Sequence, residues 1–131
     1  MIENVLPIVN SEELRRQKLA PINWIWEGII AHKTVTVIAG DAGSYKTWLI
    51  LFLAQAIANG ETFLGRSTSR NRVIVFDKEN SEYMLQQRLQ SSGASPYFDI
   101  WLKSRRPESP VLVDEQGVLN SIYLDYAKVV M

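Results

Sequence analysis

The chain contains no cysteine, which excludes disulfide staples, thiolate metal sites and thiol catalysis. Charge of one sign is also lacking: 14 Lys and Arg balance 14 Asp and Glu. No global basic field therefore recruits nucleic acid, and any such contact must come from local patches or from an assembly. Long hydrophobic runs are missing too, since the longest is broken by Gln55 and stops at Asn59-Gly60, well short of a membrane span. The opening Met1-Ile2-Glu3-Asn4-Val5-Leu6 meets a charge and then Pro7, so it lacks the basic head and apolar centre of a signal peptide. These absences lead us to expect a cytoplasmic protein without a membrane partner. Internal repeats and low-complexity tracts are not found. What is there is a chain of 131 residues, 47% hydrophobic, enough for the core of one domain and too short for two.

The informative stretch is Gly40-Asp41-Ala42-Gly43-Ser44-Tyr45-Lys46-Thr47, which reads as a phosphate-binding loop. Before it, Val35-Thr36-Val37-Ile38-Ala39 has the β-branched character of a buried parallel strand. After it, Trp48 to Ala58 runs without a breaker until Asn59-Gly60, as a long, largely buried helix would. Small residues in such a loop let backbone N–H groups surround phosphate oxygens while the helix N-terminus adds partial positive charge. Residues 40–48 are thus the candidate nucleotide site, with Lys46 reaching the β- and γ-phosphates and the Thr47 hydroxyl facing Mg²⁺. Tyr45 departs from the pattern G-x-x-x-x-G-K-[ST], standing where the last glycine belongs. If that position is left-handed, tyrosine there costs about 1–2 kcal/mol. The competing reading is a tight strand-to-helix turn with an exposed lysine.

The rest of the chain supplies context. Asn10 and Glu13 have capping-box spacing for a short polar helix through Lys18, ended by Pro21. Asn23 to Ile30 is aromatic and apolar enough to strap the main sheet. Trp24 and Trp26 there suit packing, with base stacking as the alternative. Thr62 to Arg72 is a polar connection leading to Val73-Ile74-Val75-Phe76, a second buried strand that Asp77-Lys78-Glu79-Asn80 closes. Ligands gather at the C-terminal rim of such sheets, which puts Asp77 and Glu79 on the side of the phosphate loop. Ser81 then caps a helix to about Ser91, with Leu85 and Leu89 inward. Tyr97 to Leu102 reads as a third strand, and Gln116 to Val130 as a final helix.

Taken together, residues 22–90 resemble the RecA superfamily of P-loop ATPases, and within it the RepA-like branch of hexameric replicative helicases. The resemblance rests on Trp24-x-x-Glu27-Gly28, the strand and loop at 35–47, the apolar helix, and the second strand with its acidic end. It implies an α/β fold, a mostly parallel sheet flanked by helices, with 1–30 as a lead-in segment and 31–131 as the N-terminal portion of the ATPase core. It further implies ATP and Mg²⁺ as ligands, a homo-oligomeric ring, and DNA as a partner. Glu79 falls where the family's glutamate polarises the attacking water, a role that phosphoryl transfer requires of a nearby carboxylate. Asp77 is the alternative, for the water or for the metal. Arg88, nine residues beyond Glu79, has the spacing of an arginine that packs on the adenine face, against the simpler reading of an exposed helix arginine.

The family's core also has a later apolar strand ending in a metal-binding acid, a sensor strand, and an arginine finger from a neighbouring subunit. Val111-Leu112-Val113-Asp114-Glu115 imitates the first of these, or else forms a short edge or loop between Pro110 and Gly117. In the resembled sheets, strands from later in the sequence lie between the loop strand and the glutamate strand. The chain is accordingly expected to be the first half of a core, binding nucleotide weakly or not at all alone and turning it over negligibly. Two other classes stay open. One is a non-catalytic nucleotide-binding or interaction protein, and the other a small phosphotransferase, for which Arg105-Arg106 is the slight hint of a lid.

Overall fold

The computed structural model describes residues 7–77, 79–92, 98–102, 105 and 129–131. Helix α1 spans Ser11–Arg16, strand β1 Trp24–Trp26, strand β2 Ile30–Ala31 and helix α2 Lys46–Asn59. Strand β3 (Val73–Asp77), helix α3 (Glu82–Ser91), strand β4 (Asp99–Leu102) and strand β5 (Val129–Val130) follow.

The central layer is a three-stranded parallel sheet in the order β4-β3-β5. Val73, Ile74 and Val75 are buried because β3 lies in the middle of that sheet and α2 packs across it. The α2 sequence is apolar on nearly every side, and its Leu53 and Ile57 are fully excluded from water alongside Val73. Burying side chains of this size contributes about 2–3 kcal/mol each and fixes α2 on the sheet. Gly60 ends the helix, its N–H reaching back to Ala56 and Ile57 carbonyls. Ser81 opens α3 as expected, its hydroxyl accepting from the Met84 N–H at 3.2 Å, and Leu85 is that helix's buried anchor.

The lead-in behaves in two parts. The β1–β2 hairpin is antiparallel and delivers Ile25 and Trp26 to the core. The Trp26 indole N–H donates to the Phe63 carbonyl at 3.0 Å and its ring lies 5.4 Å from that of Phe63. Packing, the expected role, is the role Trp26 has. The hairpin turn is clamped to the following loop, with the Glu27 N–H on the Ser67 carbonyl and the Ser67 hydroxyl on the Glu27 carboxylate. Upstream, Asn10 caps α1 by accepting from the Glu12 N–H at 2.8 Å, but the helix stops at Arg16, two residues before Lys18, and buries nothing.

Two expected elements differ. Residues 35–39 are not a strand: Val35 and Val37 are 89% and 82% exposed. A strand persists when its N–H and C=O groups meet a neighbouring edge. In the described sheet both flanks of β3 are occupied, by β4 and β5, and residues 35–39 pair with neither of the outer strands. The expected helix over 116–130 also fails at its end, because Val129 and Val130 pair in parallel with Val73 and Ile74. Valine as a residue type favours strands over helices. The remainder of that helix, with Asp114 and Arg106, lies outside the described residues. A strand from late in the sequence thus flanks β3, while residues 35–39 take no place in that sheet.

Candidate functional site

The loop at residues 40–45 closes on itself before α2 begins. The Asp41 carbonyl accepts from the Ser44 N–H at 3.2 Å and from the Ser44 hydroxyl at 2.6 Å. Gly40 lies so near this turn that a Cβ there would stand 2.8 Å from the Ser44 oxygen. Gly43 has φ +80°, open space around it, and a conformation that side chains rarely adopt.

Lys46, the first residue of α2, folds back over this loop. Its ammonium donates to the Gly40 carbonyl at 2.5 Å, the Asp41 carbonyl at 2.7 Å and the Ser44 hydroxyl at 3.1 Å. All three partners are neutral oxygens, so among the described residues a positive charge is gathered at the head of a 14-residue helix without a carboxylate paired to it. The helix N-terminus adds unsatisfied N–H groups and partial positive charge at the same place. Such an arrangement favours an anion with several acceptor oxygens. Thr47 follows in the first turn, and with it the loop offers the donor set that a phosphate chain and a hard divalent cation would use.

Tyr45 meets the condition under which its sequence position is costly. It is the N-cap of α2 with φ 62° and ψ 21°, its side chain makes no capping hydrogen bond, and it is 76% exposed. Its carbonyl nevertheless accepts the first helical hydrogen bond, from the Leu49 N–H at 3.1 Å. The backbone thus takes the glycine-type conformation despite the ring.

At the C-terminal end of β3, Asp77 is occupied by its own turn. One carboxylate oxygen accepts from the Glu79 N–H at 2.9 Å and the Asn80 N–H at 2.8 Å, and the other from the Asn80 side-chain amide at 2.8 Å. Three donors on one carboxylate leave Asp77 little capacity for a metal or a water. Glu79 joins this network only through its main chain, and its side chain is exposed.

Arg88 is half-buried, so the reading as a plain surface arginine does not describe it. Its guanidinium lies 5.8 Å from the centroid of the Trp48 ring and donates to the Asn80 side-chain oxygen at 3.1 Å. Trp48 in turn stacks on Phe52 at 5.7 Å, and beside them a shallow depression, of about 10 Å³, is lined by Leu51, Gln55, Leu89 and Ser92. Two clusters result, Lys46 with its loop and Arg88 with Trp48 and Asn80, joined through the first turn of α2. The Asn80 link escaped sequence reasoning. Its signal was present in Asp77-x-x-Asn80, a side-chain-to-backbone turn following a strand.

A family model described as an AAA domain matches residues 4–128. The chain belongs to the AAA domain family. No curated protein and no solved structure matches it. An AAA domain is a nucleotide-binding ATPase module, and in this AAA domain the loop at 40–47 and the parallel sheet are the features consistent with that class. No helix among its described residues is long and apolar enough to cross a membrane.

Proposed function

We propose that the chain is the ATP-binding module of a RecA-like motor, in which hydrolysis drives helicase or translocase movement on DNA once subunits assemble into a ring. The single observation that carries the nucleotide part is the Lys46 ammonium, held over the loop by neutral oxygens at the head of α2. An incoming phosphate chain would replace ammonium contacts to neutral carbonyl oxygens with contacts between opposite full charges, which are stronger. Loop residues Gly40, Asp41, Ala42, Gly43, Ser44 and Tyr45 would hold it through their backbone, with Lys46 on the β- and γ-phosphates and Trp48 beside the site. Bound Mg²⁺ would neutralise phosphate charge, with Thr47 as the protein ligand. Glu79 would orient the attacking water and accept its proton, because Asp77 is committed to the turn. Arg88, backed by Trp48, would present its free face to the purine.

Replication or recombination, the DNA partner, the ring, the cytoplasmic setting and the division at residues 30 and 31 rest on the resemblance. A second reading, a nucleotide-binding or interaction protein without turnover, is favoured by Tyr45, whose strained, ring-bearing N-cap a catalytic loop has no evident need for.

The test is a titration with a fluorescent ATP analogue, with and without Mg²⁺, on the chain and on Lys46→Ala. Weak Mg²⁺-dependent binding is expected, and at least tenfold weaker binding in the variant, about 1.4 kcal/mol or more. Equal affinity of the two proteins would refute the nucleotide assignment. ATP turnover at a brisk rate by the chain alone, abolished in Lys46→Ala, would refute the expectation that it is inactive by itself.

A further inference from the structure

The hydrogen bonds around Asn80 join two parts of the site that the sequence separates. Its backbone N–H and its side-chain NH₂ both go to the Asp77 carboxylate, at 2.8 Å each, while its side-chain oxygen takes the Arg88 guanidinium at 3.1 Å. The same carboxylate holds the Glu79 N–H at 2.9 Å. One amide therefore touches the turn that carries Glu79 and, eight residues on, the arginine that lies against Trp48 in the first turn of α2.

We propose that Asn80 is a positioning residue that sets the pose of Arg88 toward the base and locks it to the acidic turn at the end of β3; this rests on the nucleotide reading above. The chemistry explains the residue type. A carboxamide offers a donor at one end and an acceptor at the other. Aspartate at this position would set a second carboxylate against Asp77, and alanine would leave Arg88 without its polar partner. Asp77, Asn80 and Arg88 are all half-buried, where such bonds polarise one another and bind more firmly than in open water. Arginine otherwise loses considerable rotamer freedom on binding a ligand, and a guanidinium already fixed between Asn80 and Trp48 has lost most of it beforehand. The turn and the base-facing arginine consequently move as one unit.

The experiment compares Mg²⁺-ATP with Mg²⁺-tripolyphosphate, which has the phosphates without the base, on the chain, Asn80→Ala, Arg88→Ala, the double variant and Lys46→Ala, by calorimetry or NMR titration. Asn80→Ala is expected to weaken ATP by about threefold to tenfold, the scale of one partly buried charged hydrogen bond, and tripolyphosphate by less than about twofold. In the Arg88→Ala background the same change should add less than about twofold, because the two act as a unit. Asn80→Ser, which like alanine keeps the backbone bond to Asp77 but retains a small polar group too short to span Asp77 and Arg88, should behave like Asn80→Ala and serves if the alanine variant does not fold. Equal weakening of both ligands, no weakening of ATP, or losses that multiply in the double variant would each overturn the proposal. If Lys46→Ala leaves both affinities unchanged, or the chain binds neither ligand, the nucleotide reading falls and this inference with it.

Discussion

Tyr45→Gly isolates the strain at the phosphate loop. Tyr45 holds φ 62° and ψ 21°, and its side chain is 76% exposed without a capping hydrogen bond. Removing the ring therefore forfeits little burial, while removing Cβ relieves about 1–2 kcal/mol of left-handed strain. Glycine gives the unfolded chain extra freedom worth roughly 0.5–1 kcal/mol in the opposite direction. The difference is a net stabilisation of about 0.5–1 kcal/mol, which for a domain of this size raises the melting temperature by roughly 2–4 °C. The assay is urea and thermal unfolding of the wild type, Tyr45→Gly and Tyr45→Ala, followed by far-UV circular dichroism. Alanine keeps Cβ and drops the ring, so it should show none of the gain. If Tyr45→Gly and Tyr45→Ala shift stability equally, the strain is not where the backbone angles put it and the argument fails.

Leu53→Ala, at a fully buried position between α2 and the sheet, should destabilise by about 2–5 kcal/mol in denaturant unfolding. Leu14→Ala on exposed α1 should stay within about 0.5 kcal/mol, and comparable losses at both sites would contradict the assigned core. The hydrogen bonds from Arg15, and then from Arg16, hold the Glu12 carboxyl below its usual 4.5. A lowered acid stabilises the folded form above its unfolded pKa and loses that contribution as pH falls through the folded one. Acidification below about pH 4.5 should then release α1, seen as loss of helical NMR shifts at 11–16, without moving the global transition, since α1 buries nothing.

The local elements that could be read ahead of the structure are those whose causes lie within a few residues. Asn10 and Ser81 cap helices because their side-chain oxygens reach the next turn, and Asn59-Gly60 ends α2 because the chain there can turn left-handed. At Tyr45 the loop pattern marked a position where glycine is usual and a left-handed backbone would strain a tyrosine, and the structure shows that backbone. Residues 35–39 show the limit. Their apolar, β-branched composition says strand, but a strand is a relation between two segments, and the partner edge is set by topology. Val129 and Val130 make the same point in reverse, pairing with β3 where the local sequence suggested the last turn of a helix.

What the sequence determined alone, then, is the loop chemistry: the glycines, the lysine and the threonine in an order that leaves a cation at a helix head. Only the tertiary structure decided that Asp77 serves its own turn and that Arg88 stands on Trp48 and Asn80. The physical reason is range. Backbone conformation and capping act over three or four residues, whereas the contact between Arg88 and Trp48 spans two helices and exists only once α2 and α3 are brought together around β3.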